Sequence, residues 1–430
     1  MVVTAKRFIE KKKSCSCSMP GVWRAVHNCY GIVVIFHSPL ACTHVSRSLD
    51  LGSYYRIMSS TKNKKFRTIP LVCSRLEEKH TIFGGAERLA KCIEEVVKEY
   101  KPKCIVIANS CVAGVIGDDV DSVAIDAEQK WNVPIVSVGT YGFLDGEYNG
   151  GYFEVANKIV DRFFKLQPKI KKTALLLGDN DGPNGDYAIE ITRLLARLEV
   201  KVIGQFPGYT SFSDFAKITQ AQSIIILGNR GQTCLELEKL AKKMQKHFAF
   251  TYVPGVYPLG WKQTKKWIVS MGYLFSCHEK AAELLAEEEA AINAFLEKII
   301  HKVEGKKVLL CIGRWLIYFK PDFILEIIKM MKLKLVGIVV LSGDSSKMRE
   351  EMINAIYKIV PEAEIYDAKN CDYLLKSVDL IITTHELCCN NRQIFIPMLP
   401  KAGKKGVIDM MTEIYRSLCS KKEHGGISYV

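Results

Sequence analysis

Glu78 to Ala124 read EKHTIFGGAERLAKCIEEVVKEYKPKCIVIANSCVAGVIGDDVDSVA, and this stretch sets the fold class. Within it, Ala86 to Tyr100 carries apolar residues at spacings of three and four, the pattern of a helix with one buried face. Cys104 to Ala108 is apolar throughout, as a strand covered on both faces must be. A turn containing Cys111 and Gly117 follows, and helical spacing resumes from Val120 to Trp131. A buried strand between two amphipathic helices is the repeating unit of a parallel sheet with right-handed crossovers.

The same alternation extends in both directions. Strand-like runs lie at Ile32 to Phe36, Pro134 to Val138, Thr173 to Leu177, Lys201 to Gly204, Ser223 to Leu227, Lys307 to Ile312, Leu333 to Leu341 and Asp379 to Thr383. Helical patterns fill Tyr187 to Leu198, Cys234 to His247, Pro321 to Met331 and Ser346 to Ile359. The Ala/Glu-rich stretch Glu279 to His301 is the strongest helix and reads as a connector between domains. A charged, Pro-containing link, Lys165 to Lys172, precedes a fresh strand. The expected architecture is therefore α/β, with three Rossmann-like domains and mostly parallel sheets, divided at 1–168, 169–300 and 301–430.

Composition narrows the class further. The chain has 430 residues, 48% of them hydrophobic, with 14 Pro and 30 Gly. That balance excludes a disordered chain or a collagen-like repeat, and the length allows several domains that each bury a core. The amino terminus lacks the continuous apolar stretch of a secretory signal, and no apolar run approaches the about 20 residues that span a bilayer. A cytoplasmic protein is expected, with no membrane association. In a reducing compartment the 15 Cys are buried thiols, metal ligands or redox groups, not a disulfide framework. The formal charge of +14 is spread over short clusters such as Lys11 to Lys13, Lys62 to Lys65 and Lys404–Lys405. These read mainly as solvated surface, with an acidic protein as the sharper alternative and nucleic acid as the weaker one.

In open α/β sheets, ligands gather beyond the carboxyl ends of the strands. Three cysteines fall there: Cys17 in CSCSMPG, Cys42 in the HSPLAC turn after Ile32 to Phe36, and Cys111 in NSCVAGVIGDD after Cys104 to Ala108. Their wide spacing excludes a local zinc knuckle. It leaves two readings, scattered buried thiols or three thiolates holding an iron–sulfur cluster from separate loops.

The segments CSMPGVWRAV, HSPLAC, Glu78 to Ala124 and Tyr141-Gly-Phe-Leu-Asp-Gly146 together resemble the amino-terminal domain of the nitrogenase component 1 superfamily. That superfamily comprises the nitrogenase cofactor-bearing subunits, their scaffold relatives and the dark-operative protochlorophyllide reductase subunits. EKxxxFGG followed by Cys-x-x-x-x-Ile-Gly-Asp-Asp is the specific part. The likeness continues more weakly through the rest of the chain, to a terminal helix near Gly406.

The resemblance implies that Cys17, Cys42 and Cys111 bind the cluster of the subunit interface, either a [4Fe–4S] or a P-cluster-like [8Fe–7S], with Cys15 as an alternative to Cys17. Three ligands from one chain leave a coordination site for a homologous subunit, in a hetero- or homo-oligomer. Ile116, Gly117 and Asp118 match the loop where the family's ATP-hydrolysing iron protein docks. No GxxxxGK[ST] loop occurs, so ATP chemistry belongs to that separate reductase. The implied function is a subunit of a nitrogenase-like reductive complex, an oxidoreductase acting with a partner subunit and the iron protein on a small substrate. A second metallocofactor is possible on a partner subunit, and the alternative function is a scaffold on which a metallocluster is assembled and handed on.

The departures bear on that choice. Catalytic nitrogenase subunits hold their active-site cofactor with a Cys directly after a middle-domain strand and a His in the last domain. Here Ser223 to Gly228 runs on through Asn229 to Thr233 before Cys234, and PMLPKAGKKGVIDMM has no His. His385, Cys277–His278, Cys388–Cys389 and His424, the last in a tail expected to be disordered, remain as weaker candidates. His37 and His44 read as satisfied loop histidines, with tuning of cluster hydrogen bonds as the alternative.

Overall fold

In a computed structural model of the chain, the described residues are 17–48, 69–144, 147–179, 182–228, 232–313, 321–341, 346–358, 360–367, 371–396, 400–420 and 427–429. The alternatives Cys15 and His424 lie outside them.

The first sheet contains β1 (Ile32–His37), β2 (Leu71–Cys73), β3 (Cys104–Asn109) and β4 (Ile135–Tyr141), all parallel in the order β2-β1-β3-β4. The central strands β1 and β3 are buried at every position, which is why their sequences are unbroken apolar runs. The helices are α1 (Ser18–Val26), α2 (40–48), α3 (Glu78–Phe83), α4 (Ala86–Tyr100), α5 (Cys111–Ile116), α6 (Val120–Trp131) and α7 (Tyr148–Phe163). On one face Leu89, Ile93 and Val96 of α4 and Val120, Ala124 and Ala127 of α6 cover Val33, Ile35, Ile105 and Ile107. On the other face α1 and α7 lie across the sheet in contact with each other.

The second sheet has β5 (Ile170–Leu177), β6 (Lys201–Phe206) and β7 (Ala221–Ile226) in the parallel order β6-β5-β7. Its helices are α8 (Asp186–Arg197), α9 (Phe215–Ile218), α10 (Gln232–Phe248) and α11 (Trp261–Leu274). Val34 and Val106 of the first sheet, Ile159 of α7, Leu175 and Ile224 of the second sheet and Leu240 of α10 belong to one continuous core. The long helix α12 (His278–Val303) then buries Ala281 and Leu284 in the core beneath α8 and α11, and Ile292, Ile299 and Val303 in the core of the third sheet.

That third sheet holds β8 (Lys307–Ile312), β9 (Lys334–Val340), β10 (Ile365–Asp367), β11 (Leu380–Thr383), β12 (Gln393–Phe395) and β13 (Ile427–Tyr429), parallel in the order β10-β9-β8-β11-β12-β13. Its helices are α13 (Asp322–Met330), α14 (Ser346–Tyr357), α15 (Asp372–Leu375) and α16 (Gly403–Cys419). The α/β class with parallel sheets is thus as expected. The strands that run length did not reveal, β2, β10, β12 and β13, are each three residues long.

Candidate metal centre

Four chain segments meet at the carboxyl edge of the first sheet. Cys17 is the N-cap of α1, at φ −74° and ψ 145°, and the next residue's N–H, that of Ser18, donates to the Gly142 carbonyl at 3.3 Å. Cys42 lies in the first turn of α2, with its N–H on the Pro39 carbonyl at 3.2 Å. Cys111 opens α5 behind the N-cap Ser110, whose N–H donates to the His37 carbonyl at 3.2 Å. Gly142, at φ +56°, lies so close that a Cβ there would sit 2.7 Å from the Cys111 nitrogen. The turns after β1, β3 and β4 thereby converge with the start of α1.

The three thiols are half-buried and sense one another. Burial raises the Cys17 thiol above its ordinary value, its hydrogen bond with the Met19 backbone works against that, and charge on Cys42 or Cys111 adds to the rise. Cys42 is also raised, first by burial and then by Cys111, while a hydrogen bond from Ser38 opposes the shift. A fourth thiol, Cys73 at the end of β2, contributes to the rise at Cys42; its Sγ donates to the Ser38 carbonyl at 3.2 Å. Sequence reading missed Cys73 because β2 is too short to register as a run.

Among the described residues, no three His, Cys, Asp or Glu side chains close on a single metal ion. An iron–sulfur cluster makes a different demand, since its thiolates stand around a body wider than one ion. The surroundings fit such a group. Ser18 Oγ, Thr43 Oγ1, Asn109 Oδ1 and Thr140 Oγ1 are buried without a hydrogen-bond partner, and each lies within two residues of Cys17, Cys42, Cys111 or Gly142. Unpartnered buried oxygens are costly in a finished core, and among the described residues four of the six flank these turns in sequence, the other two being on Tyr152 and Gln205.

The loop Ile116–Gly117–Asp118 borders this edge. Gly117, at φ +72°, is exposed and Ile116 half-buried, whereas Asp118 turns inward and is 7% exposed. Its Oδ1 accepts the Gly85 N–H at 2.7 Å, joining the FGG and IGDD motifs. Next to them Ile82, Phe83 and Val115 are exposed apolar side chains, at 77%, 85% and 74%.

The weaker candidates lie elsewhere. Cys234, several residues beyond β7, folds back on the first turns of α10 so that its buried Sγ packs against Gly228 at the strand's end. His385 follows β11, with its N–H donating to Thr383 Oγ1 at 3.1 Å and its Nδ1 2.9 Å from Thr384 Oγ1. Cys277 is buried as the N-cap of α12, His278 packs its ring on Tyr273, Cys388 is exposed, and Cys389 is half-buried and accepts a hydrogen bond from Gln393 Nε2. None of these joins the Cys17, Cys42 and Cys111 group. Among the described residues no helix is long and apolar enough to cross a membrane.

Comparison with known proteins supplies the frame for this site. The family model described as "Nitrogenase component 1 type Oxidoreductase" matches residues 17–418. The nitrogenase iron-molybdenum cofactor biosynthesis protein NifE of Clostridium pasteurianum is 27% identical, over 69% of this chain and 62% of its own length. The nitrogenase molybdenum-iron protein alpha chain of Methanosarcina barkeri is 25% identical, over 56% of this chain and 45% of its own. For these two the match covers less than two-thirds of the relative. NifE of Nostoc sp. is matched at 23% identity over 96% of this chain and 87% of its own. The solved "Nitrogenase Cp1 at pH 5" superposes with a TM-score of 0.65 at 16% identity, covering 97% of this chain and 90% of the other, which establishes a shared fold.

Proposed function

The chain belongs to the nitrogenase component 1 type oxidoreductase family, and from that premise we propose that it is a scaffold subunit on which a metallocluster is assembled and handed on. The observation that carries the cluster-binding part is the gathering of Cys17, Cys42 and Cys111 from three loops at one sheet edge, in turns that also carry unpartnered buried oxygens. Two further observations favour assembly over catalysis. Relatives named for iron-molybdenum cofactor biosynthesis recur among the similar proteins. The terminal segment also lacks the His that the catalytic relatives use to hold their cofactor.

In this reading Cys17, Cys42 and Cys111 supply three thiolates, and a homologous partner subunit completes the coordination. When bound, the iron–sulfur cluster stores and passes single electrons. The chain's residues seat it: burial raises the Cys17 and Cys42 thiols, and the backbone hydrogen bond at Met19 works against that rise at Cys17. The face around Ile116, Gly117, Asp118 and the exposed Phe83 receives the ATP-hydrolysing iron protein. The free thiols of the described residues suit a reducing, cytoplasmic setting.

A second reading, a reductive subunit acting on a small substrate, is favoured by the likeness to the molybdenum-iron protein alpha chain. Turnover separates the two. The anaerobically purified complex, supplied with iron protein, MgATP and reductant, is expected to deliver a cluster to an apo-acceptor and to reduce no substrate. ATP-dependent reduction of a small substrate without cluster release would overturn the scaffold reading in favour of the reductive one.

A further inference from the structure

A buried chain of hydrogen bonds leads from the IGDD loop to the thiol turn. Asp118 Oδ2 lies 2.8 Å from His37 Nε2, and His37 Nδ1 lies 3.0 Å from Ser74 Oγ. Ser74 Oγ also accepts the Ser38 N–H at 3.2 Å. The Ser38 hydroxyl donates to the Pro39 carbonyl at 2.9 Å, the same oxygen that accepts the Cys42 N–H at 3.2 Å, and lies 3.6 Å from Cys73 Sγ. His37, Ser38 and Ser74 are fully buried.

The donors and acceptors of this chain fix one arrangement. The carboxylate of Asp118 has no proton to give, so Nε2 carries the hydrogen and donates to it. Nδ1 is then an acceptor, and the Ser74 hydroxyl donates to it. That leaves Ser74 Oγ lone pairs for the Ser38 N–H. With the ring neutral, each group then has one role. Burial lowers the His37 pKa against the opposing pull of Asp118, which favours the neutral ring. The other Asp118 oxygen holds Gly85, so the carboxylate ties the FGG turn to the same chain.

We propose that Asp118, His37 and Ser74 are positioning residues for the cluster: through Ser38 and the Pro39 carbonyl they set the seat of Cys42. The inference rests on the reading of Cys42 as a cluster ligand. Groups that orient a cluster's ligands tune its reduction potential. The chain thus connects the IGDD loop, at Asp118, to the turn that carries Cys42.

The test uses the full chain reconstituted anaerobically with ferrous iron and sulfide, comparing wild type, Ser74→Ala, Ser74→Thr, Asp118→Asn and Cys42→Ala. Iron per chain, the EPR spectrum of the reduced state and a redox titration are measured. Ser74→Ala and Asp118→Asn are expected to keep wild-type iron. They should change the EPR g values and shift the reduced-to-oxidised ratio at fixed potential by roughly tenfold, about 59 mV for one electron. Ser74→Thr, which keeps the hydroxyl, should return both towards wild type. If Ser74→Ala does not fold, Asp118→Asn decides, since its amide can accept from only one of the two donors. Wild-type EPR and potential in these variants would overturn the inference. Iron binding that survives Cys42→Ala unchanged would instead overturn the reading beneath it.

Discussion

Gly85 shows how tightly single residues are specified at this edge. A Cβ there would lie 2.5 Å from Leu76 Cδ2 and 2.6 Å from Asp118 Oδ2, while the backbone N–H must still reach Asp118. Gly85→Ala is expected to destabilise the chain by about 1–3 kcal/mol through overpacking, read as a lower urea midpoint. Two other residues report on pH. Burial pushes the thiols of Cys29 and Cys92 up to about 12, from an ordinary 9.0. Between those values the native state keeps protons that the unfolded chain has lost, so stability is full below about pH 9 and falls as pH rises towards about 12. In urea melts across that window Cys92→Ala is expected to decline less steeply than wild type. An unchanged slope would contradict the assignment of part of the loss to Cys92.

At the scale of elements, α1 and α7 cross at glycine. A Cβ on Gly21 would enter the Tyr148 carbonyl, and one on Gly151 the Ser18 carbonyl. Because the obstacle is backbone, Gly151→Ala is expected to cost about 3 kcal/mol or more and to displace Cys17 at the start of α1. Thermal melts together with iron content check both parts. This contact also explains what sequence reading could reach. The helices α4 and α6 were legible to the residue, because each has one apolar stripe against a sheet. The helix α7 was not, since it starts with Tyr148-Asn-Gly-Gly151, poor helix formers kept there for the close crossing. Cys17, Cys42 and Cys111 could be picked out from their positions after strand-like runs and from the motifs around them. The Asp118–His37–Ser74 chain could not, because it joins three segments through side-chain contacts that no local periodicity encodes. Likewise α12 looked only amphipathic, yet its Glu288 is buried and paired with Arg193 at 2.7 Å and Lys404 at 3.1 Å. Glu288→Ala is expected to cost roughly 2 kcal/mol, the worth of hydrogen bonds to a charged group.

For the whole molecule, we propose the division at 1–168, 169–300 and 301–430 as its domain organisation. In support, each part carries one parallel sheet, and α12 spans two cores near the second boundary. The net charge of +14 adds a prediction about assembly. If the basic clusters steer an acidic reductase or partner subunit, association rates measured by stopped flow should fall as salt is raised, over the range where the screening length drops below about 10 Å. Rates indifferent to salt would remove that role and leave the lysines as solvated surface. All of this depends on whether the three thiols hold iron. The most direct measurement is iron and sulfide per chain after anaerobic purification and reconstitution, for wild type and for Cys17→Ala, Cys42→Ala and Cys111→Ala separately. The account predicts a stoichiometric cluster in the wild type and a marked loss in each variant. Iron and sulfide unchanged by all three substitutions would contradict it.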